Sequence, residues 1–77
     1  MSDFYLLSKP NCGLCQQALL QVHQQPLEQP VTLAMVDISD DPALLEEYAN
    51  LVPVLIRAID DAELRWPFQQ LMEFLSQ

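Results

Sequence analysis

The sequence predicts an α/β domain with the element order βαβαββα, a four-stranded mixed sheet with helices on both faces. Three observations lead there. Short apolar and aromatic runs bounded by Pro, Asn or Asp recur along the chain, as strands do. Two other segments repeat apolar residues at i, i+3, i+4 and i+7, the period of one helix face. The first strand–helix–strand unit suits a parallel, right-handed crossover, whereas the last two strands lie so close that only an antiparallel hairpin joins them.

Asp3-Phe4-Tyr5-Leu6-Leu7-Ser8 reads as the first strand, stopped by Pro10-Asn11. After Gly13, residues Cys15, Ala18, Leu19 and Val22 form the inner stripe of a helix, with Gln16, Gln17, Gln21 and Gln24 mainly on its wet side; Pro26 and Pro30 end it. Val31 to Ile38 is nearly continuous in apolar residues, which predicts a strand buried on both faces. Ser39-Asp40-Asp41-Pro42 marks a second helix start, since a carboxylate caps free N–H groups and Pro suits the first helical position. Leu45, Tyr48 and Ala49 are expected on that helix's inner face, with Glu46 and Glu47 outward. Val54 to Ile59 is the third strand, Asp60-Asp61 a tight turn, and Ala62 to Trp66 a charged edge strand. Pro67 is expected to open the last helix, with Phe68, Leu71, Met72 and Leu75 on its inner face.

With 77 residues and neither repeats nor linkers, residues 1–77 are expected to form a single domain. Apolar residues make up 51% of the chain and charged ones only 18%, which argues for a packed globule rather than a disordered segment. Three basic residues (Lys9, Arg57 and Arg65) face eleven acidic ones, for a formal net charge of -8. That balance argues against nucleic acid and against an anionic membrane surface, both of which call for a basic face. It fits solubility, or a partner with a basic rim. The N-terminal stretch Met1 to Leu7 lacks the basic region of a signal peptide and runs directly into a strand-like segment, so cytoplasmic residence is the expectation.

In a reducing compartment, two cysteines two residues apart point to redox or metal chemistry more than to a structural staple. Cys12 stands at the mouth of the first helix, where free N–H groups and the positive end of the helix dipole favour a thiolate, the form that attacks a disulfide. Lys9, the one lysine, adds to that positive field from three residues upstream. Cys15 lies one turn further in on the apolar stripe, so Cys12 attacks first and Cys15 resolves the mixed disulfide. Three other readings compete. Zinc needs about four ligands, and the chain offers two cysteines and His23, so a metal or iron–sulfur carrier would have to be a dimer. A structural disulfide here closes too small a loop to stabilise a domain much. A redox-inert binding module keeps the fold without turnover.

Three features together resemble the glutaredoxin branch of the thioredoxin superfamily. The C-x-x-C pair follows the first strand and opens the first helix. Lys9-Pro10-Asn11-Cys12-Gly13-Leu14-Cys15 resembles the glutaredoxin pattern Lys-Pro-x-Cys-Pro-Tyr-Cys, and Leu51-Val52-Pro53 stands where that family has Thr-Val-Pro. The element order matches over essentially the whole chain. The resemblance implies a thioredoxin-like fold and a disulfide oxidoreductase, a monomer that holds no metal or other cofactor, with glutathione as a possible co-substrate. Its partner would be a disulfide-bearing protein or a glutathione mixed disulfide. It further implies a cis Val52–Pro53 bond, Pro53 across from Cys12, Val52 backbone groups that pair with an extended substrate, Lys9 holding an anionic thiol, and Gly13 and Leu14 tuning the loop.

The chain departs from that family after the fourth strand. Where typical glutaredoxins have a Gly-Gly pair against glutathione, it reads Arg65-Trp66-Pro67-Phe68, and a Trp there obstructs or reshapes the pocket. Trp66 reads as a core lid or as an apolar contact for a partner. The chain looks closest to small glutaredoxin-like proteins that pair C-x-x-C with Trp-Pro-Phe.

Overall fold

The first strand, β1 (Phe4–Ser8), lies inside a four-stranded sheet of order β2-β1-β3-β4. The computed structural model describes residues 2–76. The strand β2 (Leu33–Asp37) runs parallel to β1, with Phe4 opposite Leu33 and Ser8 opposite Asp37. On the other side β3 (Val54–Arg57) is antiparallel to β1, and β4 (Ala62–Arg65) is antiparallel to β3. Three helices complete the fold: α1 (Gly13–His23), α2 (Pro42–Tyr48) and α3 (Leu71–Ser76), with a 3-10 turn at Ile38–Asp40. Among the described residues no helix is long and apolar enough to cross a membrane.

The two-residue alternation of β1 divides the core in two. Phe4 and Leu6 point to the side where Ala18 and Val22 of α1 and Leu71 and Leu75 of α3 are buried with them. Leu7 points the other way, into a smaller cluster with Ile38, Tyr48 and Val54. The sheet is thus covered on both faces, by α1 and α3 on one and by α2 on the other.

Four details differ from the sequence reading. The strand β2 is an edge strand rather than one buried on both faces, and Met35 is 47% exposed. An apolar run records that a strand packs somewhere; it does not record how many strand neighbours it has. In α2 the inward pair is Leu44 and Tyr48, one turn apart, while Leu45 is exposed. Asp41 caps α2 by accepting from the N–H groups of Ala43 and Leu44, which fixes where the first turn begins and so which face turns inward. The third and fourth strands stop at Arg57 and Arg65, leaving Ile59 exposed at the hairpin and Trp66 beyond the ladder. The last helix begins at Leu71 and not at Pro67. Gln70 has φ 56°, a left-handed conformation no right-handed helix contains, and it separates the helix from Phe68, which is buried ahead of it. Met72 is consequently exposed.

The Asp60-Asp61 turn forms with Asp61 at φ 58°, a conformation that Asp tolerates better than most residues. The Asp60 carboxylate accepts from Nε and Nη2 of Arg57 and from the N–H of Ala62, and these bonds hold it below the usual carboxylate range. Arg57 also lies 4.7 Å from the ring centroid of Phe74 and donates to the Phe74 carbonyl, joining the hairpin to α3.

The Tyr48 hydroxyl donates to Glu63, linking α2 to the outer strand β4. That bond, and burial after it, push the phenol up to about 12. The folded state therefore keeps a proton that the unfolded chain releases near pH 10, so the bond's contribution is complete below about pH 10 and is lost as pH rises toward 12. Urea titrations at about pH 9 and about pH 11 should show wild type losing more stability than Tyr48→Phe across this window. Equal losses would remove Tyr48 as the titrating group.

Candidate active site

The chain leaves β1 at Ser8 and must turn into α1 within four residues. Asn11 makes that possible with φ 61°, since Asn is among the few residues that occupy the left-handed region at small cost. Cys12 follows in an extended conformation as the N-cap of α1. Its sulfur accepts the N–H of Cys15 at 3.1 Å, in the place a Ser or Asp oxygen takes at other helix starts. The Cys12 carbonyl accepts the N–H of Gln16 and begins the helical ladder.

Cys12 and Cys15 form a disulfide, with their Cα atoms 5.2 Å apart. Cys12 is half-buried, whereas Cys15 is 3% exposed and continues into the buried stripe of Ala18 and Val22. The order foreseen from sequence, an outer sulfur ahead of an inner one, is the geometry found. A Cβ on Gly13 would meet no atom within 4 Å, so this glycine fills no steric need and leaves open space beside the disulfide. Leu14 is also exposed.

The remaining residues singled out in the sequence, His23 excepted, fall at the same end of the sheet. Leu7 lies opposite Val54, and Val54 opposite Arg65, so Pro53 and Trp66 continue those rows beside the exit of β1 toward Cys12. The Val52–Pro53 and Trp66–Pro67 peptide bonds are both cis. Pro53 is fully buried and Val52 half-buried. Trp66 is half-buried against the larger core cluster and meets Phe68 edge-on, with ring centroids 5.3 Å apart, as a core lid does. Lys9 is exposed, and its ammonium donates to the Ala49 carbonyl at 3.0 Å, just past the end of α2. His23 is exposed at the far end of α1. Among the described residues no three His, Cys, Asp or Glu side chains are grouped to hold a metal ion.

Sequence reasoning missed one residue of the cleft and a capped turn at the end of β2. Met35 lines a cleft of about 420 Å³ together with Lys9, Asn11, Cys12, Cys15 and Gln16. No local signal marks it, because its exposure follows from β2 being an edge. Asp37, opposite Ser8, accepts from both the hydroxyl and the N–H of Ser39; these bonds, the hydroxyl first, hold its carboxyl below the usual range. The Asp-x-Ser spacing was a readable sign of such a turn.

Comparison with known proteins agrees with this architecture. Residues 3–76 match the family described as "Glutaredoxin-like domain (DUF836)". Among solved structures, the chain is similar to the X-ray structure of Northeast Structural Genomics target protein XcR50 from X. campestris. The match has 34% sequence identity and a TM-score of 0.73, and covers 94% of this chain and 93% of that one. No curated protein matches at a significant level.

Proposed function

The chain belongs to the glutaredoxin-like domain family, and on that premise we propose that it is a thiol–disulfide oxidoreductase acting on protein disulfides or glutathione mixed disulfides. The observation that carries the reading is the Cys15 N–H directed at Cys12 Sγ at a helix N-terminus. A backbone donor and the positive end of the helix dipole stabilise a thiolate there once the disulfide is reduced.

In the reductive direction the Cys12 thiolate attacks one sulfur of the substrate disulfide. A Cys12–substrate bond forms, the substrate S–S bond breaks, and the departing thiolate takes up a proton. Cys15 then loses its proton and attacks Cys12 Sγ, expelling the second substrate thiolate. Two electrons pass to the substrate, and the protein ends as the disulfide seen here. In this reading Pro53 shapes the docking groove, Val52 offers backbone groups to an extended segment, and Lys9 adds positive charge at the rim. The protein works as a cytoplasmic monomer without metal, with glutathione as a candidate electron donor.

The test is equilibration in glutathione buffers of graded ratio, followed by acid quench, alkylation and intact mass measurement. The expected result is a single dithiol–disulfide transition with the two-electron slope of about 30 mV per tenfold change. A chain that stays fully reduced, or that collects glutathione without closing the Cys12–Cys15 bond, would refute the cycle.

A further inference from the structure

Ala49 ends α2 with a carbonyl that the chain cannot satisfy by continuing the helix. An α-helical bond to it would come from the N–H of residue 53, and Pro53 has none. The N–H groups of Leu51 and Val52 are directed elsewhere, both to the Tyr48 carbonyl, at 2.9 and 3.1 Å. The Ala49 carbonyl is met instead from the cysteine loop, by the Lys9 ammonium at 3.0 Å. A lysine often bonds the last carbonyls of its own helix; here it comes from 40 residues upstream.

That bond joins the two loops that frame the site. Lys9 begins the passage from β1 to Cys12 and lines the cleft of about 420 Å³ with Cys12, Cys15 and Met35. Ala49 begins the passage from α2 to β3, which runs through Val52 and the cis bond to Pro53. Among the described residues this is the one hydrogen bond between segment 9–12 and segment 49–53. The Cys12 sulfur has a donor of its own, the Cys15 N–H.

We propose that Lys9 is a positioning residue: its bond to the Ala49 carbonyl holds the cysteine loop and the Pro53 loop at a fixed spacing, and so sets how tightly an extended disulfide substrate binds. The proposal rests on the dithiol exchange described above and gives Lys9 a role that does not act through its charge on the sulfur. A small disulfide that reaches only Cys12 does not need the two loops in register. An extended one that also pairs with the backbone of Val52 does.

Single-turnover oxidation of the reduced protein at graded disulfide concentration gives a half-saturation concentration and a limiting rate. Two uncharged oxidants are compared: a cystine peptide with blocked termini and neutral flanks, and hydroxyethyl disulfide. Lys9→Met should raise the peptide's half-saturation concentration about fivefold, the scale of one hydrogen bond, with the limiting rate within about twofold of wild type. The rate with hydroxyethyl disulfide and the pH profile of Cys12 alkylation by iodoacetamide should match wild type. Lys9→Arg, which keeps a donor, should restore peptide binding. Lys9 is exposed, so neither substitution disturbs the core. An unchanged peptide half-saturation in Lys9→Met would overturn the positioning role while dithiol exchange stands. So would an equal loss with hydroxyethyl disulfide and a shifted alkylation profile, which would assign Lys9 to the sulfur. If neither oxidant closes the Cys12–Cys15 bond in wild type, dithiol exchange itself fails and this role goes with it.

Discussion

A Cys12→Ser variant should lose disulfide exchange, falling on the order of 10³-fold or more toward the background rate, the scale on which removing a nucleophile acts. Cys15→Ser should behave differently. It keeps the outer thiol that attacks but lacks the sulfur that releases the product, so the mixed disulfide accumulates at one substrate per chain. Intact mass spectrometry after mixing with a cystine peptide reads both outcomes. The asymmetry follows from position, because Cys12 is half-buried at the helix mouth and Cys15 is 3% exposed against the core. If Cys12→Ser traps substrate and Cys15→Ser does not, the two roles are reversed and the helix-cap argument for the nucleophile is wrong.

The second large effect concerns stability. Leu6 is 0% exposed and lies in the cluster that joins β1 to α1 and α3. Truncating such a side chain removes apolar burial and leaves a cavity, for about 3 kcal/mol. A 77-residue domain has roughly 4–12 kcal/mol in total, so Leu6→Ala should remove a quarter or more of it. Leu14→Ala, at a residue 47% exposed, should stay within about 0.5 kcal/mol of wild type. Urea unfolding of the oxidised proteins compares them, and a similar midpoint shift for both variants would contradict the placement of Leu6 at the centre of the core.

The two effects are separable because the fold divides the work. The Phe4 and Leu6 side of β1 anchors α1, and α1 in turn presents its N-terminus to the cysteine pair. Cys15, Ala18 and Val22 form one buried stripe, so the rotation that buries Ala18 and Val22 also sets Cys15 inward, while Cys12, the extended N-cap outside the helix, stays half-buried at its mouth.

Read by itself, the chain of residues was enough for the order and type of the elements, the mixed sheet, the cysteine pair at a helix start, and which sulfur lies inside. All of these depend on spacing within a dozen residues: two-fold or 3.6-fold periodicity, a proline, a capping group, one helical turn between sulfurs. The packed fold alone decided that β2 is an edge, that Met35 lines the cleft, that Leu44 rather than Leu45 turns inward, and that α3 waits until Leu71. It also decided the bonds from Lys9 to Ala49, 40 residues away, and from Tyr48 to Glu63, 15 away. The physical reason is that a side chain's local pattern states which way it points relative to its neighbours in the chain. What it meets there depends on segments brought alongside only when the whole sheet closes.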